Sequence, residues 1–570
     1  MLQDQISAVD ATLERKRVGR VMILPGTFIG SPRYMNARYQ DAMATVRTKE
    51  KYCWCAWSRI ERQRLLFLKN NQKALRAENY NVLQDQISAA DATLERKRVG
   101  RVMILPGTFI GSPRYMNARY QDAMAIVRTK AKPDLFITMT MNPNHPDVVA
   151  ALLSGQRPAD RPDVMARVFK GLLDRMIGDI KDGIFGELIG LVYSVEYQAR
   201  GLPHAHILVF LAARHKFNTT EDIDRVICAE IPQDNTLQHL VLRFMHHGPC
   251  GNLHPQAPCM IDGRCSRHYP KEFSEETIWE SNMNHPIYRR RPLDNLHPWF
   301  ETQPLRQHHT AENTMAINNS WIVPYNPFLL KKYHMHINVE MCNTAMAAKY
   351  LFKYITKGPD RAMARVQGDN AEENNEIQDY KDLRSIGASE ACWRIFGFHT
   401  NEVHPNVQAL PIHLENGQRV SFEEGQEQTV VQAGPPESEL TMWFHYNATK
   451  DPSEQNQLYP NFPQYCVWNK PSKVWTKRQK HQKFKTIGRI YNVHPLMGEL
   501  YYLRLILLNN HLLGARRFSD LKKLPAGGTA ATYQEVCLQL GILQQDGEWR
   551  LALQEACLTQ MPQAIREIFA

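Results

Sequence analysis

The sequence predicts an α+β fold built on a central antiparallel sheet flanked by helices, and three stretches carry that prediction. "KPDLFITMTMNP", residues 132–143, alternates apolar positions with Thr and Met at a period of two, as a half-buried strand does. "PDVMARVFKGLLDRMIGDIKDG", residues 162–183, spaces its apolar side chains by three and four, as an amphipathic helix does. "IGLVYSVEYQARGLPHAHILVFLAA", residues 189–213, holds two apolar runs divided by "ARGLP", which describes two strands joined by a turn. A strand, a helix and then a hairpin point to α+β rather than to a parallel βαβ sheet.

The chain has 570 residues, enough for two to four domains at roughly 150 residues each. Lys and Arg exceed Asp and Glu by 69 − 58 = 11, and the pI is near 9.0. That excess favours a polyanionic partner, nucleic acid first. Eleven cysteines, an odd number, do not read as a disulfide framework and point to a reducing compartment. The first residues contain no apolar signal core. The most apolar runs, "HILVFLAA" and "LYYLRLILLNNHLLG", fall short of the roughly 20 residues of a membrane span. The expectation is an intracellular protein with no membrane partner.

The beginning of the chain is duplicated. Residues 2–49 recur at 83–130, and only Val9/Ala90 and Thr45/Ile126 differ. Repeat architectures drift in sequence and need at least three units, so this pair reads as a recent duplication or a gene-assembly error. The second copy is the one that continues into "KPDLFITMTMNP". Residues 1 to about 60 are therefore expected to pack poorly, with 1–81 an aberrant, partly disordered segment. Cys53 and Cys55 have no nearby Cys or His to form a metal site.

Beyond this, 82–365 is expected to form the sheet domain, with a Cys/His-rich insertion at 244–270. Residues 366–384 are acidic and read as a linker, and 385–570 read as a mainly helical region. "YNPFLLKKYHMHINVEMCN", residues 325–343, reads as a further strand, and residues 344–362 as a helix ended by Gly358-Pro359.

Candidate site residues follow from these elements. On a strand, positions i and i+2 share a face, so His204 and His206 present both imidazoles to one ion while Ala205 faces the core. The preceding strand brings Glu196 beside them, with Gln198 as the competing third ligand. Two His and one carboxylate leave coordination positions open for substrate oxygens. Tyr350 and Tyr354 are spaced i, i+4 on the predicted helix and share its face, with Lys349, Lys353 and Lys357 between and beside them. A phenol with a pKa of about 10 is a weak nucleophile unless cations favour the phenolate, which a neighbour such as Lys353 and a metal would do. In the insertion, His247, Cys250, Cys259 and Cys265 offer four N/S ligands for a structural Zn²⁺, with His246, His254 and His268 as alternatives. "YRRRP", residues 288–292, is a candidate basic patch or a solvated charge run.

"FITMTMNP", "VEYQARGLPHAHILVFL" and "EMCNTAMAAKYLFKYITKGPDRA", in this order, resemble the replication-initiator part of Helitron transposases. The likeness extends from about Leu75 to the C-terminus through "HHGPCG", "VPYNPFLLKKY", "SEACWRIFGF" and "GELYYLRLILL". These are rolling-circle transposon proteins with an HUH endonuclease domain and two tyrosines. The resemblance implies that His204, His206 and a third ligand, Glu196, hold Mg²⁺ or Mn²⁺ on a scissile phosphate of single-stranded DNA. Tyr350 and Tyr354 would be the nucleophiles, forming a 5′-phosphotyrosine, in a nuclear protein. His334 and His336 would be strand residues rather than ligands. The family continues into a helicase, but this sequence contains no G-x-x-x-x-G-K-[ST], so no ATPase activity is expected of it and a helicase would be supplied by another protein. The competing expectation is a DNA-binding remnant without catalysis.

Overall fold

A computed structural model describes residues 50–72, 75–84, 101–102, 109–110, 112–130, 132–197, 201–252, 254–280, 283, 285–292, 297–298, 316–342, 387–423, 425–450, 457–479, 485–509, 514–525, 527–543 and 548–559. In chain order, the first elements are α1 (Glu50–Gln72), β1 (Leu75–Asn79), β2 (Arg101–Val102), α2 (Pro113–Lys130), β3 (Leu135–Thr140), α3 (Pro162–Lys181), β4 (Leu188–Tyr197) and β5 (Pro203–Leu211). They are followed by α4 (Asn235–Phe244), α5 (Pro327–Tyr333), β6 (His336–Met341), α6 (Ala388–Ile395) and β7 (Asn401–His404). The C-terminal region supplies β8 (Val407–Leu410), β9 (Arg419–Glu423), α7 (Glu439–Thr449), β10 (Cys466–Asn469), β11 (Val474–Lys477), β12 (Ile487–Ile490) and α8 (Glu499–Leu507).

The fold is α+β, as the sequence predicts. Its centre is a five-stranded antiparallel sheet in the order β6-β3-β5-β4-β7. Alternation along the strands sorts the side chains. One face carries Ile137, Met139, Tyr193, Ala205, Ile207, Ile337 and Val339, all buried against α3 and α6. Trp393 of α6 is fully buried there, edge-on to Phe398 with ring centroids 5.1 Å apart. Truncating a tryptophan in such a place costs about 3–5 kcal/mol. On the other face, Phe136, Val192, Leu208 and Phe210 pack under Tyr120 and Ile126 of α2. Gly190 permits that approach, because a Cβ there would lie 3.3 Å from both Ile126 and Phe210.

Several expectations change. Residues 50–60, expected to pack poorly, belong to α1, whose Ala56, Trp57 and Ile60 lie against the main core. The earlier residues, with the Cys53 and Cys55 side chains, lie outside the described ones, as do 366–384 and the predicted helix at 344–362. The strand predicted at 325–343 is a helix followed by a strand. Asn326 caps α5 by accepting from Leu329 N–H, Pro327 starts it, and His334 ends it with a left-handed φ of 47°. Only β6 is extended.

Helices outweigh strands after residue 404, around a core of Trp443, Tyr459, Phe462, Tyr501, Leu503 and Ile506. Residues 388–404, grouped above with that region, complete the main sheet and its core instead. β1 pairs with β9, which carries the chain's early part onto its C-terminal region. Leu83, the first residue of the second copy, is fully buried against Val420 and Phe422. Arg489 of β12 also reaches α2, donating from Nε to buried Asp122 at 3.0 Å. Among the described residues no helix is long and apolar enough to cross a membrane.

A polar network ties β7 to β4 and α3. Tyr193 Oη donates to Glu402 at 2.6 Å, His404 Nε2 lies 2.6 Å from the same carboxylate, and Lys181 Nζ lies 2.9 Å from that Nε2. The His404 bond, then Tyr193, hold the Glu402 pKa at about 2, below its ordinary 4.5. A depressed carboxylate stabilises the fold above the unfolded pKa and loses that contribution as pH falls through the folded one. Glu402→Gln is therefore expected to lower stability at pH 7 and to flatten the loss between pH 4.5 and 2, measured by denaturant unfolding across that window.

Candidate functional site

The polar end of the sheet's second face holds the histidine pair. His204 stands opposite Glu196 of β4 and Thr140 of β3, and His206 stands opposite Ser194 and Thr138. Thr140 Oγ1 lies 2.8 Å from His204 Nδ1, and Thr138 Oγ1 lies 3.3 Å from His206 Nδ1. Each ring is thereby held by its Nδ1 and turns its Nε2 away from β3. Glu196 reaches diagonally, with Oε2 at 3.3 Å from His206 Nε2. Phe136 stacks on the His206 ring at 5.7 Å.

His204 Nε2 is buried and has no hydrogen-bonding partner. Burial, then the neighbouring His206 and His336, push its pKa down to about 3, so the ring is neutral at physiological pH. When its proton sits on Nδ1 toward Thr140, Nε2 offers a lone pair with nothing to receive it. A buried acceptor left this way carries a desolvation penalty of about 1–3 kcal/mol. A divalent cation removes the penalty, and two imidazoles with a carboxylate are an apt donor set for one that keeps open positions.

Around the pair the face is polar across its width. Asn338, Thr138, His206, Ser194 and Asn401 form one row, and His336, Thr140, His204 and Glu196 the next. Ser194 Oγ and Asn338 Oδ1 are also buried without partners. Thr138 and Thr140 were read only as strand residues. Their signal was the i, i+2 threonine spacing of "FITMT", which gains meaning once it pairs with the i, i+2 histidines. Gln198, Tyr350, Lys353 and Tyr354 lie outside the described residues. The second H-x-H does not converge: His334 is the exposed cap of α5, while His336 Nδ1 lies 2.7 Å from the Phe244 carbonyl.

The insertion assembles a separate cluster. The ligand atoms of His247, Cys250, Cys259 and Cys265 all lie within 4.8 Å of one another. Cys265 Sγ is 3.3 Å from His247 Nε2, and the His247 ring stacks on Tyr269 at 4.2 Å. A short hairpin pairing Met260 with Cys265 brings the last two cysteines together. Burial, then the two neighbouring thiols, push the Cys250 pKa up to about 12. At Cys265 burial opposes ionisation too, but hydrogen bonds from the backbone at Tyr269 and Arg267 prevail and lower its pKa. None of these cysteines is in a disulfide. His246 turns aside, with Nδ1 2.7 Å from the Leu242 carbonyl, and His254 and His268 are not part of the cluster.

The arginines of "YRRRP" are engaged within the fold, with Arg291 still exposed to solvent. Arg290 is buried and donates to the carbonyls of Ala229, Asn319 and Ile322. Arg291 makes a two-pronged bond to Glu230, and Arg289 pairs with Asp224. Tyr288 donates to Glu340 at 2.9 Å. These groups tie residues 288–291 to residues 224–230, 319–322 and Glu340.

Residues 47–209 match the family model described as "Helitron helicase-like domain at N-terminus". That part of the chain is similar to the N-terminal domain of Helitron proteins. The matched range takes in α1, the whole second copy, Glu196, His204 and His206, while nearly all of the first copy precedes it. The Cys/His cluster lies beyond it. No curated protein matches the chain.

Three thiols and an imidazole at this spacing hold a cation or repel one another as they ionise. A chelator is expected to lower the midpoint of thermal unfolding of the wild type and to leave a Cys259→Ala/Cys265→Ala variant unmoved. An unchanged wild-type midpoint would show that the cluster holds no metal.

Proposed function

We propose that this protein is a metal-dependent single-strand DNA endonuclease and strand transferase of Helitron type. The observation that carries the reading is the unpartnered His204 Nε2 on a sheet face shared with His206 and Glu196, inside the Helitron-related segment. His204, His206 and Glu196 would hold Mg²⁺ or Mn²⁺, with Gln198 the alternative third ligand. Bound there, the ion would polarise the scissile phosphate and offset charge gathering on its oxygens.

The chain's own groups perform the remaining work. Thr138 and Thr140 fix the ring orientations, as the partners of metal-binding histidines commonly do. Tyr350 or Tyr354 attacks phosphorus with its phenolate oxygen, forming a P–O bond as the bond to the 3′ oxygen breaks. The products are a 5′-phosphotyrosine and a free 3′-OH, which takes up a proton. Lys353, next in sequence to Tyr354, favours the phenolate. The second tyrosine accepts the other strand, so cleavage and rejoining proceed without ATP. The partner is single-stranded DNA at transposon ends and targets, and the site of action is the nucleus. For the cluster of His247, Cys250, Cys259 and Cys265 we assign Zn²⁺, whose tetrahedral preference suits three thiolates and an imidazole.

Incubation with a labelled single-stranded oligonucleotide and Mn²⁺ is expected to give a covalent protein–DNA adduct. His204→Ala and a Tyr350→Phe/Tyr354→Phe double change should each abolish it. Equal adduct formation by all three proteins sinks the proposal, and binding without any adduct favours the inactive-remnant reading. Thr140→Val should lower metal affinity by about 10–100-fold and so raise the Mn²⁺ concentration that the same assay needs.

A further inference from the structure

The hairpin of β10 and β11 lies far along the chain from the histidine pair and is strongly basic. Residues 466–489 contain no Asp or Glu. Lys470 and Lys473 stand exposed at its tip, and Lys477 and Lys485 are exposed at its base. Neither tip lysine forms an ion pair among the described residues, and the Lys470 charge is felt at Glu439. The two arginines of this segment are committed: Arg478 donates to the Pro463 carbonyl, and Arg489 to Asp122.

The stem is held stiffly. Trp475 is buried, donates from Nε1 to the Glu439 carbonyl at 2.9 Å, and packs on Trp468 and Phe462. The strand after the hairpin, β12, is bonded through Arg489 to α2, which lies on the histidine-bearing face of the main sheet. The basic tip is thus connected to the candidate active site through packed elements.

The outward side of the ribbon shows Val467, Asn469 and Thr476 between the lysines, while Trp468 and Trp475 turn inward. The exposed ring at its base, Tyr465, lies under the Lys485 ammonium at 5.8 Å. Surfaces that track unpaired strands rely on exposed rings for stacking. A narrow ribbon with lysines at its tip and no ring on its outward side instead suits phosphates flanking a duplex groove, about 12 Å wide in B-DNA.

We propose that the β10–β11 hairpin is a second DNA-contacting surface, gripping the phosphate backbone of duplex DNA beside the strand to be cut. The choice of DNA rests on the function proposed above, but the contact needs neither metal nor tyrosine. The test is fluorescence anisotropy of the full chain without added divalent ions, on a duplex and on a single strand of equal length, across a salt series. For Lys470→Ala/Lys473→Ala/Lys485→Ala, the log–log salt slope on duplex should fall by about 2–3, since each lost phosphate contact removes roughly 0.9. The slope on the single strand should move by less than about 1. A control lacking the same charge elsewhere, Arg157→Ala/Arg214→Ala/Arg225→Ala, should leave the duplex slope near wild type. Lys473 has a left-handed φ of 52°, which glycine tolerates more easily, so Lys473→Gly separates charge from folding. It should weaken duplex binding without lowering the unfolding midpoint. Equal losses in hairpin and control variants, equal losses on both DNA forms, or no duplex binding by the wild type would overturn the proposal. Adduct formation on a short single strand, measured separately, tests the parent reading.

Discussion

Residues 204–206 must serve two environments at once. Ala205 is fully buried in the main core, while the histidines on either side face a polar surface. A strand alone can do this, since alternate side chains point to opposite faces. A one-residue slip of β5 would drive both imidazoles into the core and expose Ala205, Ile207 and Val209. The hydrophobic face is thus what places the histidines. Pairing on both sides then makes the placement specific, because β3 supplies the threonines and β4 the carboxylate at the same level. α2 closes the apolar half of that face and stops short of the polar half, so the face divides into a packed end and a chemical end.

This division bears on the duplication. α2 belongs to the second copy, and it fills a single place: Ile126 over Gly190, Asp122 to Arg489, and Leu83 at the start of the copy under Phe422. The sheet has one such face, so a second equivalent helix has no corresponding surface to cover. α1 is different. It follows the first copy in the chain yet packs beside α6 through residues outside the repeat, and the family match begins just ahead of it.

What was legible in the sequence was local. The hairpin, the helix beginning at Pro162, the carboxylate opposite His204 and the four residues of the Cys/His cluster all follow from short-range spacing. What escaped depends on pairings between distant segments. β7 joins β4 across some two hundred residues, and no pattern in "NEVH" announces that. The arginines of 289–291 resemble a solvated run until Glu230 and the carbonyls of Ala229, Asn319 and Ile322 come into reach. The helix α5 was hidden because its cap, Asn326-Pro327, lies in an apolar stretch that ends in a true strand.

The Cys/His cluster is linked to the histidine pair, on the central strand β5, through the edge strand β6 and its neighbour β3. β6 is the outermost strand on that side, and an open edge invites pairing with other chains unless something covers it. Here the cover comes from the segment that leads into α5 and from the end of α4. Val339 donates to the Pro324 carbonyl at 3.0 Å, Asn338 bridges to Tyr325, and His336 bonds the Phe244 carbonyl at the end of α4. His247, three residues beyond the end of α4, is anchored by its own N–H to the Trp321 carbonyl at 2.9 Å. The cluster therefore fixes the loop that covers β6. β6 in turn holds Asn338 and His336 in the polar rows that contain His206 and His204. A metal held in the cluster, as proposed, would steady the histidine-bearing strand without touching it.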